Sequence, residues 1–400
     1  MTARTWRIAV LNPHPIQYFA PLYAYLNTLE DFEVTALYCS DFSLRGAKDP
    51  GFGQTFRWDL DLLTGYKSVF LGDRARTRVP AGFWSLICPE VWRAVRTGAF
   101  DALILHGQNY AVNFVALAAA KTAGIRVFMR GETHLGLERG RLKAILRRPT
   151  MNLLYHLCDA CLAIGSANSD FYRAMGVPTE KIFMVPYSVD NERFISQSKI
   201  NTEERAQVLT SFGLPVNHPV ILYASKFQRR KHPDDVLRAA GELQKKGIPS
   251  SVLMVGSGEM EGELKDLARS QGIANTAFTG FVNQSDLPKV YGASDVFVLP
   301  SENEPWGLVV NEVMCAGLPV VVASEVGCVL DLVKDGDNGY TYPAGDYKAL
   351  AASLERILEN PGLRVEMGLK SRERIRGWSY RECAIGLRRA LTYPNNLMLT

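Results

Sequence analysis

Two glutamates eight residues apart, Glu304 and Glu312, flank Pro305-Trp306-Gly307-Leu308 at the head of a helix-length apolar run. An apolar strand pattern over 296–299 ends in Pro300, Pro305 sits where a helix can start, and Gly317-Leu318-Pro319 stops that helix before the next strand. The pattern predicts unpaired backbone N–H groups around Trp306, Gly307 and Leu308, which suit a phosphate. Were both glutamates helical, they would stand about 80° apart in azimuth and about 12 Å apart along the axis. With Glu304 in the loop and Glu312 in the helix, one carboxylate can meet a sugar's hydroxyls and the other a ribose's, with a diphosphate between them.

Other apparent motifs carry less. Cys158 and Cys161 have redox or zinc spacing, but they lead into an apolar strand with no second pair, and are read as core. Asp59-Leu60-Asp61 and Asp335-Gly336-Asp337 mimic metal-binding pairs; the second runs into Asn338-Gly339 and is read as a hairpin. No metal site is expected. Gly256-Ser257-Gly258 lacks the third glycine of a dinucleotide fingerprint.

The elements that must hold these residues are short β-branched runs alternating with helix-length patterns. One series lies at 8–11, 34–38, 102–105, 126–129, 160–164 and 182–185, a second at 220–224, 252–255, 276–279, 296–299 and 320–323. Each run is continuously apolar, as expected of parallel strands covered on both faces. The expected architecture is two doubly wound α/β domains of Rossmann-like type, over 1–190 and 200–375, with a polar linker in 186–201 and the ligand site in a cleft at the strands' carboxyl ends. The 400-residue length fits two cores.

A net charge of +4 from 45 Lys and Arg against 41 Asp and Glu excludes a protein built around nucleic acid. The excess sits in the first half, where residues 1–195 hold 22 basic against 17 acidic residues. Part of it is Arg139, Arg141, Lys143, Arg147 and Arg148 in a short amphipathic pattern, read as a solvated helix face or as a contact for anionic lipid headgroups or a pyrophosphate-bearing acceptor. Seven scattered cysteines read as reduced thiols, and no run of about 20 apolar residues is present, so a cytoplasmic protein, peripheral at the inner membrane face at most, is expected.

The segment from Glu304 to Glu312 resembles the signature of the retaining, GT-B-fold glycosyltransferases of group 1, family 4. Val255-Gly256-Ser257-Gly258 looks like that family's Gly-rich turn, and Thr279-Gly280-Phe281-Val282 like its nucleobase-facing turn. The stretches YGASDVFVLP at 291–300 and VPYSVDNERF at 185–194 match its approach to the signature and its interdomain linker. In order, these cover about half of the chain. The resemblance implies transfer of a sugar, in the hexosyltransferase manner, from a UDP- or GDP-linked donor to a hydroxyl of a glycan, lipid-linked or small-molecule acceptor. Polysaccharide biosynthesis is the implied setting, with no cofactor beyond the donor and no metal. A nucleotide-sugar epimerase and a donor-binding homologue without turnover are the rival readings.

The family also places two cations on the donor diphosphate, which assigns that role to Lys226 and Lys231, with Arg229 or Arg230 replacing the fork lost when Lys stands for Arg. Gly256, Gly258, Phe281, Val282, Trp306, Gly307, Leu308 and Glu312 become donor-binding residues, and Glu304 catalytic. In the first domain the loop Asn12-Pro13-His14-Pro15-Ile16-Gln17 departs from the family's Gly-rich pattern, leaving His14 and Gln17 either in contact with donor or acceptor or on the surface. Arg130 and Glu132 are expected to orient sugar and acceptor, and His134 to start a helix. His106 reads equally as a substrate contact or a packed histidine. Trp378-Ser379-Tyr380 and the pattern to Leu391 predict that 376–400 returns as a helix to the first domain.

Overall fold

The computed structural model describes residues 4–45, 47–48, 55–56, 58–72, 82–137 and 141–394. The chain divides into two compact units, one of Met1–Ala47, Phe56–Ser188 and Ser379–Thr400, the other of Lys48–Thr55 and Val189–Trp378.

The first unit is built on β1 (Trp6–Asn12), β2 (Phe32–Tyr38), β5 (Lys67–Phe70), β6 (Ala102–His106), β7 (Arg126–Arg130), β8 (Ala160–Ala163) and β9 (Ile182–Met184); β3 (Ala47–Lys48) and β4 (Thr55–Phe56) form a separate two-strand ladder. The seven-stranded sheet runs β5-β2-β1-β6-β7-β8-β9 and its ladders are parallel. Chain order reverses at β1, so the loops after β1 and β6 diverge at the carboxyl edge, where doubly wound sheets take ligands. Ile8, Ala9, Val10 and Leu11 are buried throughout, because helices cover both faces.

The helix Tyr380–Thr392 belongs to this unit. Ser379 caps its first turn by accepting from Arg381 N at 3.3 Å, and Cys383, Ala384, Gly386, Leu387, Ala390 and Leu391 form its buried face. Gly386 is required there, since a Cβ would run into the Met184 carbonyl. Arg126 donates to the last carbonyls, of Leu391 at 2.6 Å and Ala390 at 2.9 Å, where a helix end favours a cation. Arg388 grips Asp31 bidentately at 2.5 and 2.9 Å and holds its carboxyl below the usual range.

The second unit carries β10 (Val220–Ala224), β11 (Ser251–Val255), β12 (Thr276–Gly280), β13 (Val296–Leu299), β14 (Val320–Ala323) and β15 (Gly339–Tyr342), parallel in the order β12-β11-β10-β13-β14-β15. Here too the order reverses, between β10 and β13.

Two expectations are corrected, and two strands are added. The stretch at 335–339 is a turn leading into β15, which pairs parallel with β14, and no hairpin forms. Asn338 ties that turn, accepting from Lys334 N and donating to Leu332 O, each at 2.9 Å. The stretch 186–201 contains a helix, Asn191–Gln197, started by Asp190 accepting from Arg193 N at 3.0 Å; seven residues are too few to show periodicity. Finally, β5 and β15 are edge strands that the apolar runs did not reveal.

Candidate active site

In the second unit the loops after β10, β11 and β13 interlock. The Gly256-Ser257-Gly258 turn is pressed onto the loop after β10: Phe227 N donates to Ser257 O at 2.9 Å and Met260 N to Phe227 O at 3.1 Å. A Cβ on Gly256 would overlap the Ser225 carbonyl, and one on Gly258 the Phe227 backbone. These glycines therefore bring two backbones together. The basic loop is thereby fixed, with Tyr223 Oη donating to Lys226 O at 2.9 Å.

The loop after β13 is clasped by the same basic residues. Glu302 N donates to Arg230 O at 3.0 Å, Arg230 Nη1 donates to Asn303 O at 2.9 Å, and His232 Nε2 lies 3.0 Å from Glu302 Oε2. The Lys231 ammonium is in contact with the Glu304 carboxylate, both largely buried. Burial, then the charges of Arg230 and Lys226, pushes the Lys231 pKa down to about 7. Its contact with the Glu304 carboxylate acts in the opposite direction. Arg229 is turned away and pairs with Glu263 at 2.8 Å, so Arg230 is the arginine beside the Lys231–Glu304 pair.

The helix that follows β13 is Leu308–Ala316, three residues later than Pro305 predicts. Gly307, at φ +91°, precedes it in a left-handed conformation. Its first-turn donors are therefore those of Leu308, Val309 and Val310, the last bonded to Gly307 O at 2.9 Å, while Trp306 and Gly307 belong to the loop. Trp306 is buried, donates Nε1–H to Asn311 Oδ1 at 2.9 Å and lies 5.1 Å from the Trp378 ring. Glu312 is 1% exposed and accepts from Tyr291 Oη at 2.6 Å. Tyr291 lies within the YGASDVFVLP stretch, yet nothing in its spacing singled it out. Phe281 and Val282 follow β12, half-buried.

His232, Asp234 and Asp235 bring potential metal-ligand atoms within 4.8 Å of one another. They are engaged locally: Asp234 with Arg238 at 3.3 Å, Asp235 Oδ2 with Gly345 N at 3.1 Å, His232 with Glu302. Burial, then Asp234, raises the Asp235 carboxyl to about 6.

In the first unit, His14 packs edge-on against Phe42 at 4.3 Å, with Nδ1 2.9 Å from the Pro15 carbonyl. Gln17 lies half-buried in the same loop. His106, at the end of β6, lies 3.2 Å from Tyr23 Oη and 4.4 Å from the Phe19 ring centre. Burial, then Arg130, pushes its pKa well below the usual histidine range, so its ring is neutral.

Arg130 is buried at the end of β7, where its Nη2 points at the Val185 and Pro186 carbonyls at 3.4 and 3.3 Å. Its guanidinium carbon lies 5.7 Å from the Phe19 ring and 5.2 Å from that of Tyr187. The side chain thus braces the end of the first unit's sheet. Glu132 is exposed, and its carboxylate accepts the hydroxyl hydrogen bond of buried Tyr187. Tyr187 is a positioning group that the sequence reading missed, although it lies in the VPYSVDNERF stretch. His134 starts no helix: it is buried in an irregular loop, its Nδ1 accepting from Gly136 N at 3.2 Å. Of the basic stretch at 139–148, Arg139 and the side chains of Arg141, Lys143 and Arg147 lie outside the described residues; Arg148 is exposed and donates to Ala174 O at 3.2 Å.

The glycosyl transferases group 1 profile matches residues 205–374, and the glycosyl transferase 4-like domain profile matches residues 33–188. A D-inositol 3-phosphate glycosyltransferase from Saccharomonospora viridis is 34% identical over 317 residues, 75% of this chain and 68% of that protein. The chain belongs to the group 1 glycosyltransferases. A D-inositol 3-phosphate glycosyltransferase from Xylanimonas cellulosilytica is 31% identical over 225 residues, 54% of this glycosyltransferase and 52% of its relative. About half the length of most of the curated relatives is matched in this way. Among solved structures, Anabaena HepE in complex with UDP superposes with a TM-score of 0.74 at 17% identity, over 97% of this glycosyltransferase and 99% of that chain. That likeness establishes the GT-B fold.

Proposed function

We propose that this glycosyltransferase moves a sugar from a nucleoside diphosphate donor to an acceptor hydroxyl with retention of anomeric configuration and without a divalent metal. The observation that carries the reading is the Lys231–Glu304 contact at the carboxyl ends of β10 and β13, the reversal point of the second sheet. A phosphate arriving there would meet Lys231, Lys226 and Arg230, cations that can take up the charge developing on a departing diphosphate. Glu304 holds Lys231 in place and offers its carboxylate to the transferred sugar, while Glu312, oriented by Tyr291, serves the nucleoside side.

The relatives' names agree with this class of chemistry: the HepE structures contain UDP, and in one case UDP-glucose. A UDP- or GDP-linked hexose donor and a glycan, lipid-linked or small-molecule acceptor follow as the substrate class. We favour retention without a covalent intermediate, with Glu132, the carboxylate in the loop after β7, held by Tyr187 in an orienting role. In same-face attack, the acceptor oxygen bonds to the anomeric carbon as the diphosphate leaves, and the departing phosphate oxygen takes the acceptor's proton. Thermal stabilisation across a panel of nucleotide sugars, followed by NMR of the product formed with a mixed acceptor set, tests the reading. Stabilisation by one donor and a product of unchanged anomeric configuration are expected. A changed free nucleotide sugar without acceptor would establish an epimerase instead, and donor binding without turnover a non-catalytic homologue.

A further inference from the structure

The first unit exposes several large apolar side chains within one short stretch, 83–92. Trp84 is 71% exposed and Ile87 58%, and Phe83 and Trp92 of the same stretch are also exposed. Phe83 meets Trp84 edge-on at 4.8 Å and Phe114 at 5.7 Å, and its carbonyl accepts from Ala111 N at 2.9 Å. The stretch is thereby tied to the start of the helix Ala111–Thr122, on which Val115 is exposed as well. Large exposed apolar side chains gathered in one short stretch mark a candidate interaction site.

The charge around it is predominantly positive, two exposed arginines beside one exposed glutamate, Glu90. Arg93 and Arg96 are exposed on the adjoining helix Glu90–Thr97, with the Arg96 guanidinium carbon 5.7 Å from the Trp92 ring centre. Glu90, the acid among residues 82–97, has its carboxylate against Gly72. The first unit as a whole holds 23 Lys and Arg against 15 Asp and Glu, a net +8, and the second unit, with 22 against 26, is −4. Exposed tryptophan and isoleucine in a loop beside arginines, one of them lying against a tryptophan ring, is a composition that enters the headgroup region of an anionic bilayer. The stretch follows β5 and is bonded to the start of the helix after β6, so it borders the carboxyl edge of the sheet, where His14 and His106 also lie.

We propose that the surface built on Phe83, Trp84, Ile87 and Trp92, with Arg93 and Arg96, docks this protein on a bilayer containing anionic lipid. The proposal concerns membrane docking and is independent of the transfer reading, which donor binding tests separately.

Sedimentation of the full chain with vesicles of phosphatidylcholine, with and without phosphatidylglycerol, is the test. Wild type should pellet with the phosphatidylglycerol vesicles, less so as salt is raised. Trp84→Ser combined with Ile87→Ser should lower the partition coefficient by about tenfold or more while leaving nucleotide binding unchanged. Arg93→Glu with Arg96→Glu, which leaves the apolar residues intact, should weaken binding and its salt dependence. Failure of wild type to bind these vesicles would overturn the proposal, as would undiminished binding by the Trp84/Ile87 variant. Loss of binding confined to substitutions in 139–148 would move the membrane contact there, and a wild-type dimer made monomeric by the Trp84/Ile87 changes would assign the surface to a second copy.

Discussion

The Lys231 ammonium and the Glu304 carboxylate meet although they stand in loops after different strands, β10 and β13, which are neighbours in the sheet. Their contact joins the basic loop to the acidic one, so the state of one side chain governs the other.

Removing the cation should weaken donor binding. Lys231→Ala is expected to cost roughly 1.5–3 kcal/mol in affinity for the nucleoside diphosphate, the range for a charge-assisted hydrogen bond in a desolvated site. Calorimetric titration measures it, and an unchanged affinity would remove Lys231 from the diphosphate site.

The pH dependence of binding has a definite sign. A diphosphate bound to Lys231 raises its pKa above the free value of about 7, so binding takes up a proton and is tightest below that pH. Between pH 7 and the raised pKa, affinity should fall by up to tenfold per pH unit. Lys231→Arg should flatten the profile. Titrations in buffers of different ionisation enthalpy would show the uptake directly, and proton release on binding would contradict it.

The two glutamates should separate functionally. Glu312→Ala is expected to weaken both the free nucleoside diphosphate and the intact donor, and to destabilise the fold by about 1–3 kcal/mol because the Tyr291 hydroxyl loses a buried partner. Glu304→Ala should chiefly affect the intact donor. Equal losses of free nucleoside diphosphate affinity in both variants would refute the division.

Activity should survive EDTA. Lys226, Lys231 and Arg230 can supply the positive charge that a divalent ion would otherwise bring to the leaving group, and the nearby His232, Asp234 and Asp235 are engaged with local partners. Complete loss in EDTA, restored by Mn²⁺ or Mg²⁺, would reverse this expectation.

Glu132→Gln should retain measurable turnover and anomeric configuration, and Tyr187→Phe should alter acceptor KM more than the configuration of the product. Mass spectrometry that traps a glycosyl ester on Glu132 would establish double displacement instead.

What the sequence by itself determined is the alternation of strands and helices and the order of the chemical motifs. Strands such as Ile221, Leu222 and Val252 to Val255 are covered on both faces, so their runs are uninterrupted and stand out without any partner being known. The edge strands β5 and β15 escaped because their positions are partly exposed and carry polar residues such as Lys67, Ser68 and Thr341. The family match was legible for the same reason as the motifs: Glu304, Gly307 and Glu312 are local in the chain. Tertiary structure alone decided which side chains meet. The start of the helix at Leu308 depends on Gly307 adopting φ +91° where a Cβ would run into Leu299 and Val326, neighbours supplied by other segments. The pairings of Lys231 with Glu304 and of Glu132 with Tyr187 join loops, and that of Glu312 with Tyr291 joins two helices, and no periodicity within one segment encodes a distance between two. Arg130 reads in sequence as a cation at a strand's carboxyl end; burial between Phe19 and Tyr187, with backbone carbonyls at its guanidinium, makes it a brace.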